Sequence, residues 1–66
     1  MQPHQQRVVD ELKELEDKVN KLHTFICSEN FDTIVNDEAE CRRLIYQRHC
    51  MQQYVHALKD RVVNFK

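Results

Sequence analysis

The sequence predicts an all-α fold: an antiparallel helical hairpin, two long helices with a short helical turn between them, assembling into a helical oligomer. Three observations carry this. Glycine is absent and the one proline, Pro3, sits at the extreme start, while Leu, Glu, Lys, Gln and Arg are abundant, so composition alone favours helix. Apolar residues recur at alternating spacings of three and four in two separate segments, which marks a heptad seam. A short polar break divides those segments, so the second helix folds back along the first.

Helix 1 is expected over about residues 3–27, with the seam Val8, Leu12, Leu15, Val19, Leu22 and Ile26. Pro3 suits its first turn, where the missing N–H has no partner to lose. The connector, about 28–36, lies within CSENFDTIVND, where Ser28, Asn30, Asp32 and Asn36 can bond to nearby backbone and interrupt a helix. Phe31, Ile34 and Val35 suit a short helical turn folded over the hairpin end. Asp37 with Glu40 reads as a capping box opening helix 2. Helix 2, about 37–65, carries the seam Cys41, Leu44, Arg48, Met51, Val55, Leu58, Val62 and Phe65. Val9 and Phe25 widen the first apolar stripe, and Ile45, Tyr46, Tyr54 and Val63 the second. Two helices cannot cover stripes that broad, which predicts a homo-oligomer.

The 66 residues form one domain, 1–66, too short to bury a large core without a staple, a metal or a partner. Cys27, Cys41 and Cys50 are odd in number and widely spaced. With no recognisable signal peptide, they point to reduced thiols in an intracellular compartment. Apolar runs are too short to cross a membrane. Without glycine there is neither a phosphate-cradling P-loop nor a dinucleotide-binding turn. A net charge of −1 argues against duplex nucleic acid as a partner. The charge is nevertheless polarised: residues 1–40 carry −6 and residues 41–66 carry +5. Either the halves attract each other, or the basic half receives an anion.

No nucleophile–base pair or paired-carboxylate spacing emerges, so no enzyme is expected and no cofactor is called for. His23 and Cys27 stand four apart on one helix, but structural zinc needs four ligands and no second pair supplies them. Arg48 sits at a core-type position and needs a partner: an acid of helix 1, open solvent, or a ligand phosphate.

Three places could together hold an anion that carries bases. The start of helix 1 offers free N–H groups and the positive end of its dipole. His4 and Arg7 add donors there, although for the helix alone positive charge at this end costs about 0.3–1 kcal/mol. In KLHTF, Lys21 and Thr24 supply donors and Phe25 a flat face for a base. Tyr54 and Arg61 could do the same on helix 2. Each has an ordinary account as well, Phe25 and Tyr54 as flanks of the core and His4 and Arg7 as a solvated terminus.

The stretch PHQQRVVDELKELEDKVNKLHTFI, a phenylalanine beyond it, a capped acidic start, and then Gln47, Met51, Tyr54, Leu58 and Arg61-Val62 resemble a known family. They are similar to small helical proteins of tailed bacteriophages whose characterised members are anti-CBASS sponges. The resemblance runs from about Pro3 to Phe65. It implies a compact multimer such as a hexamer, with cyclic dinucleotides held between protomers. Some members also take cyclic trinucleotides in separate pockets. It further implies Lys21, Thr24 and Phe25 for the dinucleotide pocket and Arg61 for the second one. Some members have a further N-terminal helix before the heptad helix, and none is expected in this sequence, whose heptad helix opens at Pro3. The function so implied is phage-encoded immune evasion in the cytoplasm of the infected bacterium, by capture of cyclic di- or trinucleotides. The rival expectation is an interaction protein that blocks or bridges a host or phage protein through its apolar helical face.

Overall fold

The computed structural model describes residues 2–65. It contains α1 (Pro3–Ile26), α2 (Phe31–Ile34) and α3 (Glu38–Val63), with no strand among the described residues. α1 and α3 pack side by side and antiparallel, giving a rod of 47 × 15 × 13 Å. The radius of gyration is 15.0 Å, against about 11 Å for a compact domain of this length. A single hairpin has no third layer, so most side chains beyond the seam face solvent.

The core lies along that seam. Val8, Leu12, Leu15 and Val19 of α1 bury against Leu58, with Met51, Val55, Val62 and Phe65 packed around them. Leu22 and Ile26 continue the first seam half-buried, as do Cys41, Leu44 and Arg48 in the second. The predicted heptads thus describe the contact between the helices. Ile45, Tyr46, Tyr54 and Val63 widen the stripe of α3 as expected, and they remain exposed.

The helix ends depart slightly from the sequence expectation. α1 stops at Ile26, with the Cys27 N–H bonded back to the His23 carbonyl at 3.0 Å. At its start the Gln2 N–H donates to Gln5 Oε1 at 2.9 Å. Gln5 is 8% exposed, a buried polar residue that the apolar pattern does not reveal. α2 is the anticipated turn over the hairpin end. Its Phe31 is buried and meets Phe25 edge-on, with ring centroids 5.4 Å apart, whereas Ile34 points outward.

α3 begins after the Asp37 N-cap, whose carboxylate accepts from the Ala39 N–H at 3.0 Å. The expected capping box is only half made. Glu40 pairs with Arg43 at 2.8 Å, because a guanidinium one turn ahead competes with the cap backbone. Asp37→Ala is expected to lower stability by about 1 kcal/mol, measured by urea denaturation followed through helical circular dichroism. A Glu40→Ala change, touching only an exposed pair, is expected to stay within about 0.5 kcal/mol. α3 ends at Val63, where the Asn64 N–H closes the last turn on the Asp60 carbonyl.

Candidate functional site

Spacing and register place the candidate residues on the rod. His4, Arg7, Glu11, Lys21 and Phe25 follow one stripe of α1 at steps of three and four, with Glu14 and Lys18 between them. Tyr54 and Arg61 stand seven apart on α3 and share a face. The Tyr54 hydroxyl donates to the Glu11 carboxylate, which brings the two stripes onto one flank. On the other flank Lys59 Nζ lies 3.9 Å from Glu16 Oε2, so each side of the seam has its own crossing contact.

The hairpin divides the candidates between its ends. Tyr54 reaches Glu11 across the seam, and Arg61 stands two turns beyond Tyr54 toward the open end of the hairpin. His4, Arg7 and Arg61 therefore lie in the open-end half of the rod, with Tyr54 nearer its middle. Lys21, Thr24 and Phe25 lie at the connector end, about 30 Å away from His4 at 1.5 Å per residue. One protomer cannot bring all seven to one small ligand. The side chains at the open end are exposed, and no ion pair ties down His4, Arg7 or Arg61 among the described residues. At the connector end, Lys21 pairs with Asp17 at 3.0 Å. Thr24 Oγ1 donates to the Asn20 carbonyl at 2.9 Å, and Phe25 is half-buried against Phe31.

Tyr54 shows how the flank is charged. Its hydrogen bond to Glu11 holds the phenol's proton and raises its pKa above the ordinary value; desolvation and the negative charge of Glu11 add to this, and Arg61 opposes it. Because the folded state holds the proton more tightly, this contribution is intact below about pH 10 and is lost as pH rises through the folded-state value. In a Tyr46→Phe background, ultraviolet titration should show Tyr54 ionising above that ordinary value. Glu11→Gln should bring it back down. An unmoved titration would mean that the two stripes are not joined.

Arg48 settles differently from the expected ion pair. Its Nη1 donates to His23 Nδ1 at 3.1 Å, while His23 Nε2 faces Cys27 Sγ at 3.7 Å. The partner is a histidine because His23, and no acid of α1, lies at the level of Arg48. Among the described residues no group of three or more His, Cys, Asp or Glu side chains could hold a metal ion. The cysteines are free: Cys27 and Cys50 are exposed, and Cys41 donates its thiol to the Val35 carbonyl at 3.3 Å. Burial, followed by the charges of Asp32 and Asp37, pushes the Cys41 thiol pKa up. Among the described residues no helix is long and apolar enough to cross a membrane.

The Sequestin family model matches residues 2–64, both long helices and the connector together. The chain belongs to the Sequestin family. The family's name denotes sequestration, the holding of a partner. Neither the curated proteins nor the solved structures contain a match to this chain. The sequence reading missed a further surface: an open groove of about 460 Å³ on the Glu16–Lys59 flank, between α1 and α3. Its polar residues have no motif spacing and are scattered over both helices, so no sequence signal marks them.

Proposed function

We propose that the chain binds and sequesters cyclic oligonucleotide second messengers, without catalysis, as a phage-encoded immune-evasion protein in the cytoplasm of the infected host. The observation that carries this is membership of the Sequestin family over nearly the whole chain. The geometry supports it. Arg7 and Arg61 offer positive charge held in no ion pair among the described residues, His4 adds a ring donor, and Tyr54 stands on the same flank to meet a base. Lys21, Thr24 and Phe25 form a second such group. The distance between the two groups is bridged when protomers assemble so that the open end of one lies against the connector end of another. Each protomer then supplies only half of a pocket, as expected for ligands held between subunits of a multimer such as a hexamer.

A second reading rests on the apolar surface. Tyr46 is 68% exposed and Val63 81% exposed, and Ile34 and Ile45 add to them. This surface suits either self-assembly or a protein target. Calorimetric titration with a panel of cyclic di- and trinucleotides separates the readings. The sponge reading expects saturable binding by at least one of them at micromolar protein. Absence of heat with the whole panel leaves the protein-partner reading.

A further inference from the structure

The three cysteines occupy three different settings. Cys41 gives its thiol hydrogen to the Val35 carbonyl at 3.3 Å, and burial raises its pKa. Cys50 is exposed and shares a hydrogen bond with the Tyr46 hydroxyl, one turn before it. Cys27 is exposed too, and His23 Nε2 stands 3.7 Å from its sulfur. Behind that imidazole, Arg48 Nη1 reaches across from α3 to His23 Nδ1 at 3.1 Å. A guanidinium carries donors only and keeps its charge, so Nδ1 accepts in that bond. The imidazole proton is therefore on Nε2, aimed at the Cys27 sulfur. Arg48 holds a seam position that heptad spacing reserves for an apolar side chain, and this contact gives its half-buried guanidinium a defined partner.

We propose that Cys27 is a modification site, a thiol that His23 and Arg48 together make reactive toward low-molecular-weight disulfides. The nucleophile in such an exchange is the thiolate. A ring N–H aimed at sulfur bonds more strongly to a thiolate than to a thiol, and the guanidinium behind it adds positive charge on the same side. Cys27 also caps the C-terminal end of α1, where the last carbonyls oppose an anion. The hydrogen bond to charged sulfur is the larger of these two effects. In the exchange the Cys27 thiolate attacks one sulfur of the disulfide. A new S–S bond forms to Cys27 as the old S–S bond breaks, and the released thiolate takes a proton from water. Cys27 is oxidised and the released half of the reagent is reduced. None of the three residues belongs to the ligand-binding groups assigned above, so the two assignments fail independently.

The test treats the reduced full chain with glutathione disulfide and reads the rate at each cysteine by peptide mass spectrometry. Cys27 is expected to form its mixed disulfide about tenfold faster than Cys50, with Cys41 slowest. The same preference should hold with uncharged hydroxyethyl disulfide and vanish in urea. His23→Ala should bring Cys27 down to the rate of Cys50. Arg48→Met suits the seam yet should slow Cys27 several-fold, while Arg48→Lys, still a cationic donor, should retain most of the rate. Nitrogen NMR of the His23 ring should find the proton on Nε2 in the parent and on either nitrogen in Arg48→Met. Circular dichroism reports that the helices persist in each variant. Equal rates at Cys27 and Cys50, or an unchanged Cys27 rate in His23→Ala, overturns the proposal. So does a preference confined to glutathione disulfide, one that survives urea, or a parent His23 proton found on Nδ1.

Discussion

Replacing Leu58 by alanine is expected to unfold a large share of the chain at room temperature. Leu58 is 1% exposed, the one fully buried side chain among the described residues, and it packs against Val8, Leu12, Leu15 and Val19. Removing its branched end forfeits transfer energy and leaves a cavity in the centre of the seam, a loss of about 2–5 kcal/mol. A core in a chain this short rarely supplies more than about 3–5 kcal/mol. The loss is therefore comparable with the whole margin of stability. Leu58→Met keeps the volume and should cost less than about 1.5 kcal/mol. Urea melts at several protein concentrations provide the measurement, since self-association raises stability with concentration. A Leu58→Ala protein as stable as the parent would mean that the seam is not the core.

The second large effect concerns capture. Arg61→Ala should weaken binding of a cyclic oligonucleotide by about tenfold to a hundredfold, the loss of one hydrogen bond to a charged group, worth roughly 1.5–3 kcal/mol. Arg61 is exposed and has no ion pair among the described residues, so the helices should be unaffected and the loss should appear in binding alone. The double change His4→Ala and Arg7→Ala should weaken binding again, because both residues stand at the same end. If binding survives these changes, the open end is a solvated terminus and the ligand is held elsewhere. Lys21→Ala then decides whether the connector end suffices, since its ammonium must leave Asp17 to reach a phosphate.

The hairpin was legible because its two seams have the strict spacing that side-by-side helices require. Val8 through Val19 and Leu58 are where the heptads put them. Phe31 was legible too, as an apolar residue within a polar break with a phenylalanine nearby to cover. What spacing cannot express is level along the partner helix. His4 and Phe25 fall on one stripe but about 30 Å apart, and only the antiparallel packing of α3 shows that Arg61 lies toward the open end rather than the connector. The same blindness left Arg48 with an acid of helix 1, solvent or a phosphate as its candidate partners, when the group opposite is His23. Gln5 and the polar residues of the groove were invisible for another reason. Polar residues on a helix look solvated until a second helix walls them in.

The central claim is capture without chemistry, and recovery of the ligand tests it most directly. A cyclic oligonucleotide is incubated with excess protein, the unbound fraction is separated by filtration, and the protein is then denatured. Mass spectrometry reads both fractions. The account predicts that the free ligand is depleted in a fixed ratio to protein and returns, with the mass of the intact ring, on denaturation. Ligand that stays free, or that returns linearised or hydrolysed, contradicts it.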